Sequence, residues 1–493
     1  MESKEESSGS QVEGRASTVT VELPADFGSA RVGEARSCAP ATLDLRVKLR
    51  ESLGLPLGFL AGAGHQPILW HAGILAKFVA ASATARQFGP GAHWVHFLSD
   101  QEALDPLRID LPTRDSGGNL QRSSLRLATP TGSLAGDAVA CARPAQEPRI
   151  PDGDGAASPA ALRVLEAFCS ELGRARGEPS AAMQVARATE VCAARWITPS
   201  FAIISSQRLL GCAEASPIVR KILDAPEECA KRFNAALALD RHAARPLREN
   251  GLCSEVPMWG IDRQGRRERL DATEARRRIE VGLPILPRAF LASGLMRIIC
   301  DLFFHGTGGA RYERVGGQWW REFLGIELPQ FGCATATLLP SATDLGINSE
   351  LPAQAGISWR EAWWDPTRLD DPPARSRMIE PIRAAHLQRI ADAPRCSKGR
   401  RAAYRALCNH IESLRGQRHA QLALIAADET RTQLIRGQIA LTQDRTWPFM
   451  LARQDALDAM AATITARITR ASPALGGADP VGTYAHRDSK RAL

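Results

Sequence analysis

The chain has 493 residues, of which 44% are hydrophobic and 24% are charged, and its formal net charge is +8 at pH 7. This balance excludes fibrous and wholly disordered proteins and predicts a globular protein with a sizeable core. The best candidate for a membrane span, "GLMRIICDLFF", is interrupted by Arg297 and Asp301, well before the roughly 20 apolar residues that a bilayer requires. The acidic, polar start lacks the apolar segment of a secretory signal. We therefore expect a cytoplasmic protein without a membrane partner.

Neither the cysteines nor the histidines predict a metal site. The 11 cysteines stand singly along the chain, without a C-x-x-C pair, which is typical of reduced thiols packed as small hydrophobic residues. Histidines cluster early, at positions 65, 71, 93 and 96, but their spacing does not provide the i, i+4 pair of an H-E-x-x-H helix. We expect no bound metal.

The first elements in chain order form a βαβ unit. "PLGFLAGA" (56–63) is typical of a short buried strand, and "ILAKFVAASATARQF" (74–88) is typical of a helix that stops at Gly-Pro-Gly. "HWVHFLS" (93–99) is typical of a second strand. A strand, a helix and a strand in close succession predict a parallel sheet with a crossover helix, and therefore an α/β fold.

The rest of the sequence suggests a division of the chain into a core, an insertion and an arm. Helical segments, together with a hairpin around 263–265, indicate a mostly helical insertion. The predicted units are a flexible N-terminal segment (1–40), a core (41–374) with an insertion around 111–280, a basic helical arm (375–446), a C-terminal helix that returns to the core (447–469) and a flexible tail (470–493).

The turn "GAGHQPILWHAG" (62–73) is the first candidate site. Ligands of open parallel sheets bind beyond the carboxyl ends of the strands, close to helix N-termini. Gly64, His65 and Gln66 fall at such a place, and the next strand ends near Asp100 and Gln101. His65 has the chemistry of an acid and base near neutral pH, and Asp100 that of an amine ligand. The alternative is that His65 and Asp100 only cap turns.

A second candidate site follows an apolar run over 289–304, for which the pattern predicts a helix. The loop "HGTGGARY" (305–312) lets backbone amides approach a ligand closely. It lacks the Gly-Lys-Ser/Thr of a Walker A loop and the last glycine of a dinucleotide fingerprint. A glycine helix stop with an exposed arginine is the alternative. The candidate residues here are His305, Gly306, Gly308, Gly309, Arg311 and Tyr312.

The arm carries the whole charge excess. Residues 375–445 contain 14 Lys and Arg against 6 Asp and Glu, a difference of +8, and the rest of the chain is balanced. Apolar residues recur at helical spacing, as in an imperfect coiled coil. A solvated face on a dimerising or intramolecular helix pair is one interpretation. Nucleic-acid binding is another, which the scarcity of aromatic residues among the arginines, where Tyr404 stands alone, disfavours.

Two of these segments together show a family resemblance. "GHQPILWHAGILAKF" and "LPRAFLASGLMRIICDLFFHGTGGARYE" resemble the bacillithiol-biosynthesis cysteine-adding enzymes, in which a G-x-Q turn enters the first helix of a Rossmann-like core. The arm and the following "RTWPF" (445–449) resemble that family's dimerising coiled coil and its return to the core. The sequence departs from the family in having His65 within the turn and Gly-Ala-Arg-Tyr where the family tends toward an acidic residue. The matching positions are Gly64, His65, Gln66, Gly306, Gly308 and Gly309.

The resemblance implies a Rossmann-like core, similar to that of class I aminoacyl-tRNA synthetases, and a homodimer formed through the arm. The implied activity is a ligase that joins the carboxyl of cysteine to the amine of a malate-linked glucosamine, with ATP a possible cofactor. On this hypothesis the two glycine turns form an oxyanion cradle, His65 is the base, Arg311 clamps a carboxylate and Asp100 holds the amine. Two alternatives are a nucleotidyl-transfer enzyme and a nonenzymatic module that binds nucleic acid or protein through the arm.

Overall fold

The computed structural model describes residues 18–24, 27, 39–100, 104–128, 143–150, 156–262, 266–342, 344–345, 347, 357–369 and 380–471. The strands are β1 (Thr18–Glu22), β2 (Leu60–His65), β3 (His93–Leu98), β4 (Arg108–Arg114), β5 (Leu120–Arg126), β6 (Ala156–Ala157), β7 (Ile203–Ser205), β8 (Glu255–Ile261), β9 (Arg267–Asp271), β10 (Ile285–Pro287), β11 (Leu302–His305) and β12 (Phe331–Thr337).

The helices cover more of the described chain than the strands. They are α1 (Pro40–Leu53), α2 (Ala72–Gln87), α3 (Pro159–Arg174), α4 (Ala181–Cys192), α5 (Ser206–Leu210), α6 (Ser216–Asp224), α7 (Pro226–Ala236), α8 (Ala272–Glu280), α9 (Phe290–Ile299), α10 (Thr307–Trp319), α11 (Trp359–Trp364), α12 (Pro381–Asp392), α13 (Lys398–Gln417), α14 (His419–Thr442) and α15 (Gln454–Ala471). Within the described ranges, no helix combines the length and the apolar character that a bilayer crossing needs.

The main sheet has six strands in the order β1-β12-β11-β2-β3-β7. All neighbours pair in parallel except β1, which runs antiparallel to β12. The predicted unit of β2, α2 and β3 is therefore confirmed, and so is the α/β class with a mainly parallel sheet. From β2 the chain passes through α2 to β3, whereas from β11 it passes through α10 to β12 on the other side. The two connections thus leave the middle of the sheet in opposite directions.

Alternation along the strands provides an apolar surface on each face of the sheet. Ala61 and Ala63 of β2 pack with α2, α3 and α15 in one core cluster. Leu60 belongs to a second cluster with α1, α9 and α10. Because successive side chains in a strand point to opposite faces, the uncharged β2 needs a helical layer on both sides. Helices cover both faces, and the carboxyl ends of β2 and β11 remain accessible between them.

The predicted helix over 289–304 is wrong in its second half. The structure ends α9 at Ile299 and places residues 302–305 in β11. Asp301 lies at the change of direction, where its carboxylate accepts hydrogen bonds from Arg46 (2.7 Å) and from the Leu60 amide (2.8 Å). Short apolar runs do not distinguish a buried strand from a helix by periodicity. As a result His305 ends a strand beside β2.

Two predicted boundaries also differ from the structure. The insertion around 111–280 is interrupted by β7, which pairs with β3 in the main sheet, and it contains the small sheets β5-β4-β6 and β10-β8-β9 in addition to helices. The predicted flexible segment 1–40 contains β1, which pairs with β12. Short strands such as β7 show too little periodicity for sequence analysis. Residues 1–17 and 472–493 lie outside the described residues.

The arm is a set of three helices. α12 packs along α13, and α13 is separated from α14 by Arg418. The apolar side chains Leu407, Ile411, Leu422 and Ile435 are buried, whereas other apolar side chains of the arm face solvent. After α14 the chain rejoins the core, because Trp447 and Phe449 are almost fully buried in the cluster that contains α2.

Candidate functional site

The two glycine-rich segments meet at the carboxyl edge of the main sheet. β2 ends at His65 and β11 ends at His305, and the two strands are paired in parallel. Each is followed by a helix, α2 or α10, that leads away in the opposite direction from the other. This arrangement opens a crevice at the switch point, where ligands of parallel α/β sheets bind. A cavity of about 560 Å³ lies there, a size that suits a small molecule.

His65 lines this cavity as the last residue of β2. Its side chain is half-buried, and Nδ1 lies 3.3 Å from the carbonyl oxygen of Gln66. Burial, reinforced by the positive charge of Lys77, holds the pKa of His65 well below its usual range. A neutral imidazole at pH 7 can accept a proton.

Lys77 is the residue that sequence analysis missed. It is 6% exposed in the first half of α2 and lines the cavity, where Nζ donates a hydrogen bond to the carbonyl oxygen of Gly64. Burial lowers the pKa of Lys77 to about 7. The signal was present in the sequence, since Lys77 is the only charged residue between positions 72 and 85, and a lysine is rarely buried without a partner of opposite charge.

His305 and Glu313 form a buried pair on the opposite wall. Nε2 of His305 lies 3.2 Å from Oε1 of Glu313, although neither atom has a hydrogen bond of good geometry. The other carboxylate oxygen, Oε2, accepts a 3.0 Å hydrogen bond from Arg297. Burial, with the charges of Lys77 and Arg297, lowers the pKa of His305 well below its usual range, and burial raises the pKa of Glu313. The carboxyl group of Glu313, held by Arg297, therefore stands behind a neutral imidazole.

His71 and Arg445 close the side of the cavity near the N-terminus of α2. Nδ1 of His71 accepts a 3.0 Å hydrogen bond from the Gly73 amide and so caps α2. Burial and the charge of Arg445 lower the pKa of His71 to about 4. Arg445 reaches the cavity from the segment that follows α14, and Nη2 contacts the hydroxyl of Thr335 at 3.3 Å. Residues distant in the chain thus complete the site.

The glycines of both turns have distinct roles. A Cβ on Gly64 would lie 3.0 Å from atoms of Phe97, and one on Gly309 would lie 2.8 Å from Nδ1 of His305. At these positions the neighbouring groups approach the backbone closely. At Gly306 and Gly308 a Cβ would meet open space. The amides of the first turn of α10, which have no intrahelical acceptor, can therefore be approached from the cavity.

The cavity contains some of the predicted site residues and not others. Asp100 lies outside the cavity lining, and its carboxylate accepts hydrogen bonds from the amide (3.0 Å) and the hydroxyl of Ser206 at the start of α5. Arg311 is exposed on α10 and pairs with Asp240 at 2.7 Å. Both side chains therefore serve neighbouring elements and do not contribute to the cavity lining. Gln101 lies outside the described residues. The predicted residues that line the cavity are Gly64, His65, Gln66, His305, Gly306, Gly308, Gly309 and Tyr312.

Neither a metal cluster nor a relative identifies the site. Within the described ranges, no group of three or more His, Cys, Asp and Glu residues is arranged to hold a metal ion. No family model matches the chain. No curated protein matches it either.

Proposed function

We propose that the chain is an enzyme that joins a carboxyl group to an amine, in the manner of the bacillithiol-biosynthesis cysteine-adding enzymes. The observation that carries this proposal is the meeting of the Gly64–Gln66 turn with the loop that begins at His305, in one cavity. These are the two segments on which the resemblance rests. The opposite directions of the connections through α2 and α10 support a Rossmann-like core.

Amine acylation needs an activated carboxyl, a site for the developing oxyanion and a base for the proton of the amine. On this proposal the first-turn amides of α10 donate hydrogen bonds to the developing oxyanion. His65 accepts the proton of the amine as the amide bond forms, and the ATP-derived phosphate or AMP that activated the carboxyl leaves. Because burial lowers the pKa of His65 well below its usual range, the imidazole stays unprotonated at pH values where an ordinary histidine is protonated. Asp100 and Arg311 have no part in this scheme, since each is engaged outside the cavity.

Replacement of His65 by Ala tests the proposal. We expect turnover of cysteine and the malate–glucosamine conjugate, with ATP supplied, to fall by about 10²- to 10⁴-fold, the usual contribution of a positioned base. The melting temperature should change little, because the ring is half-buried and its contact is to the carbonyl of the adjacent Gln66. The readout is product formation by mass spectrometry, together with a thermal melt.

His93→Ala is the matched control for this experiment. His93 is also half-buried, at the opposite end of the neighbouring strand β3, and it does not line the cavity. The control should retain wild-type turnover. Full activity in His65→Ala would contradict the role of His65 as the base. A large fall in the melting temperature of this variant would show that His65 has a structural role instead.

A nucleotidyl-transfer enzyme is the second candidate function. It is favoured by the open approach to the first turn of α10 at Gly306 and Gly308, since helix N-termini bind phosphate groups. The distinguishing result is release of pyrophosphate from ATP with a carboxylate substrate alone. Formation of an amide without any nucleotide would exclude it.

We also propose that the arm joins two copies of the chain. Leu424 and Leu434 on α14 and Tyr404 on α13 are exposed apolar side chains, at 67%, 42% and 55%. Apolar residues on a helical arm that the described part of the chain leaves exposed are typical of a partner surface. Leu424→Arg with Leu434→Arg should convert a dimer into a monomer by sedimentation without loss of helix content. An unchanged sedimentation coefficient would place any dimer contact elsewhere.

A further inference from the structure

The cavity collects positive charge from several elements. Lys77 comes from α2, Arg445 comes from the segment after α14, and the N-termini of α2 and α10 point their partial positive charge toward the same space. Among the described residues that line the cavity, Glu313 is the only carboxylate. Its charge is opposed by Arg297. The lining therefore has an excess of positive charge that it does not balance internally.

Lys77 is the buried residue that contributes to the excess positive charge of the cavity. Its amine has one hydrogen-bond partner in the described structure, the carbonyl of Gly64, and it contacts no carboxylate there. Buried ammonium groups are normally paired with an acid or a ligand, because desolvation of an isolated charge is costly. An unpaired lysine beneath an open cavity indicates that its partner comes from outside the chain.

Arg445 indicates the same conclusion independently. A Cβ built on Gly73 would lie 2.9 Å from Nη2 of Arg445, so the guanidinium lies against the first turn of α2. A cation at a helix N-terminus is unfavourable without an anion between them. The carboxylate of the neighbouring Asp444 is engaged by Arg122 and by Thr446.

We propose that this cavity binds an oxyanion of a small molecule, a phosphoryl or carboxylate group, between the Lys77 ammonium, the Arg445 guanidinium and the first-turn amides of α10. Ammonium, guanidinium and helix N-terminal amides are the groups that bind such anions in proteins. The inference goes beyond the proposed reaction, since it concerns binding and rests on the charges of the cavity whichever chemistry follows.

Proton linkage follows from this arrangement. Burial lowers the pKa of Lys77 to about 7, and a bound anion would raise it again. At pH 8 the protein should therefore take up a proton as the anion binds. The titratable groups that interact electrostatically with Lys77 include His65, His71, His305 and Cys333. Arg445 and Glu313 line the same cavity.

Calorimetry with inorganic pyrophosphate, inorganic phosphate and malate tests the proposal on the full chain without turnover. We expect saturable binding of at least one probe at low ionic strength, with the phosphate probes and malate distinguishing a phosphoryl site from a carboxylate site. Lys77→Met and Arg445→Gln should each weaken binding by about tenfold or more, as expected for loss of a charge-assisted hydrogen bond. Titration at pH 8 in two buffers of different ionisation enthalpy should show proton uptake in wild type that is absent in Lys77→Met.

Lys221→Met is the matched control. Lys221 also donates to a backbone carbonyl, that of Leu324 at 3.1 Å, but it lies outside the cavity, so its variant should bind like wild type. Arg445 is exposed, and its variant should fold whatever Lys77→Met does. The proposal is overturned if no probe binds, or if both cavity variants bind as tightly as wild type, which would place the anion on the basic arm. Failure of the proposed reaction appears separately, as a wild-type protein that forms no product from cysteine, the malate–glucosamine conjugate and ATP.

Discussion

Lys77→Met should make the folded protein more stable at neutral pH. In the folded state burial lowers the pKa of Lys77 from 10.5 to about 7, which corresponds to an unfavourable contribution on the order of 4 kcal/mol. Loss of the hydrogen bond to the Gly64 carbonyl offsets roughly 1 kcal/mol of this gain. We therefore expect the free energy of unfolding to rise by about 3 kcal/mol at pH 7.

The direction in which the free energy of unfolding changes with pH is a more specific test than its value at pH 7. Between pH 7 and pH 10.5 the unfolded chain holds the Lys77 proton more often than the folded chain does, so the stability of wild type should rise with pH in this range. The unfavourable contribution of Lys77 to the free energy of unfolding has its full size below pH 7 and decreases above it. The advantage of Lys77→Met should therefore shrink steadily as denaturant unfolding is repeated at pH 7, 8 and 9.

Lys48→Met is the control for this pH series, because Lys48 is exposed and pairs only with Asp44 four residues away. It should retain the pH slope of wild type. A Lys77→Met protein that is less stable than wild type at pH 7 would show that the buried amine contributes favourably to folding. It would then need no external partner.

Arg297→Met should have the largest destabilising effect among the cavity variants. Arg297 and Glu313 are 5% and 1% exposed and are joined by a 3.0 Å hydrogen bond. Removal of one partner leaves a buried charge without its counter-ion, which typically costs about 3 to 5 kcal/mol. The same change removes the contact that holds Glu313 behind His305. We therefore expect the part of the cavity wall formed by His305 and Glu313 to become less ordered as the protein becomes less stable.

The loss of stability in Arg297→Met has two possible causes, the unpaired Glu313 carboxylate and the lost hydrogen bonds to the Pro329 carbonyl. Adding Glu313→Gln to the Arg297→Met variant separates them. If the unpaired carboxylate is responsible, the double variant should recover at least half of the lost free energy in denaturant unfolding. Burial raises the pKa of Glu313 above its ordinary value of 4.5, so above this pH the folded chain holds the Glu313 proton more often than the unfolded chain does. The damage in the single variant should therefore be smaller at pH 5 than at pH 8. No recovery in the double variant would assign the loss to the hydrogen bonds between Arg297 and the Pro329 carbonyl.

Arg321→Met is the matched control for the arginine substitution. Arg321 is exposed and pairs with Glu327 at 3.4 Å. Surface ion pairs contribute at most about 1 kcal/mol. The control should unfold close to wild type, and a comparable loss in both variants would argue against the importance of burial.

The backbone decided the place of some polar residues predicted at the edge of the sheet, and a neighbouring element decided the place of others. Gly64, His65 and His305 line the cavity because each belongs to, or directly follows, a strand of the central sheet. Asp100 follows a strand too, but α5 begins next to it and uses its carboxylate. Arg311 lies on α10 outside the cavity lining, and it pairs with Asp240. Local sequence does not reveal such competition.

The sequence by itself determined the elements around the site: the strand before His65, the helix after it and the glycines that let the chain turn. These follow from apolar periodicity and backbone freedom, which act over a few residues. Only the tertiary structure decided that β11 lies beside β2, that Lys77 is buried beneath Gly64 and that Arg445 returns to the same cavity. These contacts join residues distant in the chain, and they depend on strand order and on the packing of whole helices, which no local pattern encodes.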